Sequence, residues 1–203
     1  MATLHEYNID RFLNGECNCL FITGIYGSGK TILSNRLALK NNAKVFHLDD
    51  IEENLNKAKF TLLPDEFATF AEKNNYAVNI HEYSTMFLIS NFCDYLMTHR
   101  TNEKYIVEGY QLMNIMRTLI NYKKDRYILP VILLEANPIV ALLRKYKRES
   151  KTFKASFFSK VKMFFTSFYS SLSYQLDCLD RYKQLVKFLN MTQERYEKYY
   201  KKE

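Results

Sequence analysis

The residues most densely equipped for chemistry are Gly24-Ile25-Tyr26-Gly27-Ser28-Gly29-Lys30-Thr31. They satisfy the spacing G-x-x-x-x-G-K-[ST], and the apolar run Cys19-Leu20-Phe21-Ile22 precedes them, as a strand feeding such a loop should. Gly24, Gly27 and Gly29 let the backbone turn so that amide N–H groups around Ser28 converge on a phosphate. Lys30 has the length to reach β and γ oxygens, and Thr31 presents a hydroxyl to Mg²⁺. A helix opening at Thr31 and running to Leu39 adds its positive end to the same field. The pattern predicts a site for a nucleotide's phosphates.

Three further groups fall at the ends of predicted strands. Asp49-Asp50 follows Lys44-Val45-Phe46-His47-Leu48, and a carboxylate there suits a base that takes a proton from an acceptor hydroxyl. Asp49 is expected in that role with Asp50 on the metal side; the ordinary alternative for the pair is capping of a helix at Ile51-Glu52-Glu53. His47 is read as a packing residue. Glu108 ends Tyr105-Ile106-Val107 and precedes Gly109, so its carboxylate is expected near Thr31, where it would hold Mg²⁺ through water. Glu135 ends Val131-Ile132-Leu133-Leu134 in the same manner and competes for the role; the glycine after Glu108 permits closer backbone approach and favours the first. Arg144 and Arg148 stand four apart, hence on one helix face, where guanidinium groups can neutralise charge on a phosphoryl group in transfer.

The elements that must position these residues follow from pattern. Thr3-x-x-Glu6 reads as a capping box for a first helix that stops near Asn14-Gly15. The second strand covers Lys44 to Leu48, a helix opens at Pro64-Asp65-Glu66, and a longer apolar-periodic helix covers Glu82 to Thr98. Tyr105 to Gly109 and Tyr127 to Leu134 read as third and fourth strands, separated by a helix near Leu112 to Ile120. Asn137-Pro138 caps a helix running into Arg144 and Arg148. Strands alternating with helices predict an α/β fold, a mostly parallel sheet with helices on both faces and ligands at the carboxyl ends of the strands. Beyond Phe153 a wide apolar stripe at steps of three and four predicts helix, whereas Tyr182 to Leu189 fits either more helix or a last strand.

A chain of 203 residues that is 47% apolar supports one domain with a sizeable core. The net charge of +7 is local: residues 144 to 203 carry fifteen Lys/Arg against six Asp/Glu, so an anion, a nucleic acid or a membrane surface is the partner type that segment suits. The four cysteines lack paired C-x-x-C spacing, which predicts reduced thiols rather than a zinc site or disulfide framework. Met1 to Glu6 is polar and no apolar stretch reaches membrane-spanning length, so a cytoplasmic location without a transmembrane segment is expected.

Taken together, Gly24 to Thr31, the apolar strand into Asp49-Asp50, Ile106-Val107-Glu108-Gly109 and the Arg144/Arg148 helix resemble the P-loop small-molecule kinases. The similarity covers residues 18 to 149 and is nearest to the uridine kinase and phosphoribulokinase-like group, with likeness also to the polynucleotide 5′-kinase and zeta-toxin-like branch. That resemblance implies a kinase-type P-loop NTPase fold of three α/β/α layers, a single domain over 1–203 with 144–203 as lid plus helical, basic C-terminal extension. It implies ATP and Mg²⁺ as cofactors, with Gly24, Gly27, Ser28, Gly29, Lys30 and Thr31 on the phosphates and Thr31, Asp50 and Glu108 on the metal. Lys30, Asp49, Arg144 and Arg148 would be the catalytic set, the two arginines on a closing lid. Where the 5′-kinase branch places an Arg shortly after its Asp pair, this chain has Ile51-Glu52-Glu53.

The activity expected is transfer of a γ-phosphate to a small hydroxyl- or phosphate-bearing acceptor such as a nucleoside, nucleotide or sugar. Residues 51 to 103 would hold that acceptor, with His81, Glu82, Tyr83 and Arg100 as contacts that have an ordinary surface reading as well. The alternatives are a 5′-hydroxyl nucleic-acid kinase and a non-catalytic nucleotide-binding protein whose basic C-terminal helix meets a membrane or partner. The absence of an N-K-x-D motif disfavours a GTPase switch. The residues name neither the acceptor nor an oligomeric state.

Overall fold

The computed structural model describes residues 4–98, 102–115 and 130–134, with single positions and short runs between 136 and 147 and between 172 and 187. Helix α1 (Leu4–Leu13) ends where Gly15 takes φ 76°, a left-handed stop that only glycine accepts cheaply. Strand β1 (Cys19–Gly24) is buried along its whole length, which is why its apolar residues run without alternation. Helix α2 (Lys30–Asn41) follows directly and stops at Asn42, whose φ of 48° is again left-handed. Then come β2 (Ala43–His47), α3 (Leu48–Asn56), α4 (Asp65–Lys73), α5 (Thr85–Thr98), β3 (Lys104–Glu108) and β4 (Val131–Leu134), with short 3-10 turns at Phe60–Leu62 and Ile80–Glu82.

The four strands lie parallel in the order β2-β3-β1-β4. Side chains alternate across the sheet, so each strand feeds two cores. Leu20 and Ile22 of β1, Ile106 of β3 and Ile132 of β4 pack with Phe12 of α1 and Leu37 and Ala38 of α2. On the other face Cys19, Phe21, Phe46, Tyr105 and Val107 meet Ile51 of α3, Phe67 and Phe70 of α4, and Leu88, Phe92 and Leu96 of α5. Phe92 holds this second core together: its ring lies 4.9 Å from Phe67, 5.2 Å from Phe46 and 5.6 Å from Phe70. The expectation of an α/β fold with a mostly parallel sheet and helices on both faces is met, and the four described strands are all parallel.

Particular boundaries move. Leu48 belongs to α3 and not to the second strand, because its side chain drops into the core with Ile51 as a helix pair rather than continuing the β alternation. The helix expected from Glu82 starts at Thr85, after the 3-10 turn. The described part of the fourth strand is Val131–Leu134, and of the helix near Leu112 only positions 112–115. Asn137 Oδ1 accepts from the amides of Ile139 (2.9 Å) and Val140 (3.4 Å), the predicted cap. Positions 183, 184 and 187 are helical, which settles those sites against a last strand. The capping box at Thr3, residues 127–129, the apolar stripe from Phe153 to 171 and Cys178 lie outside the described residues, and no fifth strand occurs among those described.

Cys17, Cys19 and Cys93 are free thiols. Burial raises the pKa of Cys19 and of Cys93, keeping both protonated and inert. Among the described residues no helix is long and apolar enough to cross a membrane.

Candidate functional site

Residues 24–31 connect the carboxyl end of β1 to the amino end of α2, flanked by β3 on one side and β4 on the other. Gly24, Gly27 and Gly29 take φ of 152°, 78° and 94°. Two of them are glycine for contact as well as for conformation. A Cβ on Gly24 would stand 2.3 Å from the Leu134 carbonyl oxygen, and one on Gly27 would stand 2.8 Å from the Ala141 carbonyl oxygen. The helix after β4 thus lies against the loop, and Arg144 Nη1 donates to the Gly27 carbonyl at 3.2 Å. Arg148, its expected companion, lies outside the described residues.

Lys30 is 7% exposed and folds back across the loop, its Nζ donating to the carbonyls of Gly24 (3.2 Å) and Ile25 (3.3 Å). An ammonium in so dry a place needs partners of this kind. Ser28 Oγ is buried without a hydrogen-bond partner in the same turn. Thr31 Oγ1 donates to Glu108 Oε1 at 3.0 Å, and His47 Nδ1 lies 2.7 Å from that same oxygen. The hydrogen bond from Glu108, then its charge, raises the pKa of His47 against the opposing effect of burial. Glu108 therefore stands beside Thr31 as the sequence predicts, and His47 proves to be its partner rather than a bystander. Gly109 allows this end of β3 to close up, since a Cβ there would meet Leu48 Cβ at 2.8 Å.

Asp49 and Asp50 sit in the first turn of α3, where a negative charge suits the helix dipole; neither caps the helix by a side-chain bond. They part company from there. Asp49 Oδ1 accepts from Gln111 Nε2 at 2.9 Å and feels the Lys30 charge. Crowding of its carboxyl away from water raises its pKa; the Gln111 bond and Lys30 pull the other way, and Glu108 and Glu52 add to the rise. Both aspartates are exposed; among the described residues Asp50 makes no direct bond to Thr31 or Glu108, and its charge acts on His47, the partner of Glu108. Adjacent residues of a helix point about 100° apart, so Asp49 reaches Gln111 while the Asp50 charge acts on His47. Among the described residues no group of three or more His, Cys, Asp or Glu side chains is arranged to hold a metal. Glu135 and Arg100 lie outside the described residues.

Beside the loop opens a cleft of about 470 Å³ lined by Tyr26, Asp49, Glu52, Glu53, Asn56, Lys57 and Tyr110. Of its walls, Asp49 was singled out by sequence, and Glu52, Glu53, Asn56 and Lys57 fall within the span expected to hold the acceptor without having been named as contacts. The signal available was the 3.6-residue period, which puts Glu52, Glu53 and Asn56 one turn and two turns after Asp49 on α3. Gln111 carried no signal, being one polar residue in an apolar run; folded, it is fully buried and bonds both Asp49 and Glu52. The contacts expected at His81, Glu82 and Tyr83 lie elsewhere: His81 packs edge-on to Phe60 and Tyr83 stacks on Phe87, and none of the three lines the cleft.

The loop residues fit an anionic group and a hard cation. The buried ammonium of Lys30, the unpartnered Ser28 hydroxyl and the left-handed glycines suit phosphate oxygens, while the Thr31 hydroxyl and Glu108 carboxylate are oxygen donors of the kind Mg²⁺ takes. Compared with known proteins, the chain matches no family model and no curated protein sequence.

Proposed function

We propose that this protein is an ATP- and Mg²⁺-dependent phosphotransferase of the P-loop kinase type that acts on a small acceptor. The observation that carries the reading is the buried Lys30 ammonium at the head of α2, folded onto the Gly24 and Ile25 carbonyls with the Asp49 carboxylate within its field. A positive centre for a phosphate tail and a carboxylate for an acceptor proton would thus act within electrostatic reach of each other at the carboxyl ends of parallel strands.

In the reaction the acceptor oxygen forms a bond to the γ-phosphorus as the bond to the β–γ bridging oxygen breaks. ADP leaves, and Asp49 takes the acceptor's hydroxyl proton and returns it to water. The raised pKa of Asp49 makes it a better base than an ordinary exposed aspartate, provided it is ionised at working pH. Gln111 holds Oδ1 and so orients the other carboxylate oxygen. Mg²⁺, when bound, would neutralise β and γ oxygens, with Thr31 and Glu108 the residues that would hold it. Arg144 stands at the loop to balance charge on the transferring group.

The test is transfer of labelled γ-phosphate from ATP to a panel of nucleosides, nucleotides and sugars. Lys30→Ala is expected to abolish transfer, and Asp49→Asn to lower it by roughly 10²–10⁴-fold, the usual worth of a general base. Unchanged turnover in Asp49→Asn removes the base assignment. No uptake of any purine triphosphate with Mg²⁺ by calorimetry removes the whole reading.

A further inference from the structure

The cleft beside the loop has a chemistry of its own. Among its described lining residues, Asp49, Glu52 and Glu53 are carboxylates and Lys57 is the one cation. Lys57 is already committed, its Nζ 2.5 Å from Glu53 Oε1 one helical turn away. Two further donors are spent in the same way: Tyr110 OH donates to Glu52 Oε2 at 3.0 Å, and Gln111 Nε2 bridges Asp49 Oδ1 and Glu52 Oε2. Asn56 Oδ1 accepts from Thr85 Oγ1 at 2.7 Å, which leaves the Asn56 amide as a neutral donor. Among the described residues the second oxygens of Asp49 and Glu52 have no hydrogen-bond partner, and the fully buried Gln111 behind them leaves its Oε1 without one. The described wall is rich in acceptors and negative, and two tyrosines, Tyr26 and Tyr110, complete it.

Carboxylates together with aromatic rings are the surroundings that favour an organic cation, through charge and through the ring faces. They oppose a second phosphate, which would bring like charge against Asp49, Glu52 and Glu53 with no uncommitted cation among the described lining residues. We propose that the acceptor is an alcohol bearing a protonated amine and no phosphate: the amine is held at the Glu52 and Glu53 wall, and the reacting hydroxyl lies toward Asp49 and the loop. The inference rests on the phosphotransferase reading and narrows it. The volume of about 470 Å³ admits a molecule of amino-sugar or amino-nucleoside size. It also turns away the 5′ end of a nucleic acid, whose own phosphates would face the same carboxylates.

The experiment uses the full chain saturated with a non-hydrolysable ATP analogue and Mg²⁺. Calorimetry compares matched trios that differ in one group: glucosamine, glucose and glucose 6-phosphate, then a 3′-amino nucleoside, its parent nucleoside and the parent's 5′-monophosphate. In at least one trio the amine-bearing member is expected to bind on the order of tenfold more tightly than its neutral parent, and the phosphate member at least that much more weakly. Glu52→Gln and Glu53→Gln each shrink the amine preference several-fold, and analogue affinity measured in the same samples reports whether the variants are folded. Equal binding of amine and parent, equal or tighter binding of the phosphate members, or no binding of any amine-bearing member overturns the inference while analogue binding persists. Failure of the analogue itself to bind overturns the phosphotransferase reading beneath it.

Discussion

Gly27 is where the loop and the helix after β4 constrain each other, and replacing it by alanine separates that contact from the loop's own conformational needs. Its φ of 78° imposes on alanine a left-handed penalty of roughly 1–2 kcal/mol, partly offset by about 0.4–1 kcal/mol because alanine also restricts the unfolded chain. Gly15 (φ 76°) and Gly29 (φ 94°) carry the same conformational cost, yet a Cβ at either would meet nothing within 4 Å. At Gly27 it would press on the backbone of Ala141, 2.8 Å from its carbonyl oxygen and 3.1 Å from its Cα. Backbone has no rotamer to yield, so the helix must shift, at an overpacking cost of about 1–3 kcal/mol. Gly27→Ala should therefore destabilise by about 2–4 kcal/mol, against about 1 kcal/mol for Gly15→Ala or Gly29→Ala. Urea unfolding at fixed pH measures all three, with unchanged m values showing that the comparison is of stabilities. Equal losses for Gly27→Ala and Gly29→Ala would refute the packing of this helix on the loop, and with it the position given to Arg144.

Two further predictions concern proton-linked behaviour. Because the Gln111 hydrogen bond favours the ionised form of Asp49, Gln111→Met should move the acid limb of the kcat profile to higher pH than in the native protein, whose limb is expected above the ordinary aspartate value; an unmoved limb means that Asp49 is not the base. The His47–Glu108 pair raises the folded-state pKa of His47, so its stabilisation is fully present below the unfolded histidine value of about 6.5 and is lost as pH rises through the raised one. Denaturation of native and His47→Gln protein across pH should accordingly differ most, by about 1 kcal/mol, at the acid end, and a difference independent of pH would dismiss the pairing.

How much could be read in advance depended on whether the information was local. The glycine spacing before Lys30, the strand into it and the stop at Gly15 are legible because each is set by the conformations its own residues permit. The end of β2 was misplaced by one residue because Leu48 is apolar, and apolarity suits a buried strand end and a buried helix start equally well. Asp49 and Asp50 share one residue type and both stay exposed, and the 100° step of α3 is what brings one to Gln111 and sets the charge of the other on His47. Glu108 was placed correctly beside Thr31, yet nothing in the order of residues joins it to His47, sixty-one positions earlier.

By itself, the sequence determined the loop, the alternation of strands and helices, and the residue types from which a phosphate site is made, since these follow from backbone freedom and from periodicity over a few residues. Tertiary structure alone decided the strand order β2-β3-β1-β4, which brings the first turn of α3 to face the loop after β1 across β3. It also decided that Glu52, Tyr110 and the buried Gln111 share a wall with Asp49. Those neighbours come from different parts of the chain, and only closing the sheet and burying both its faces fixes which of them meet.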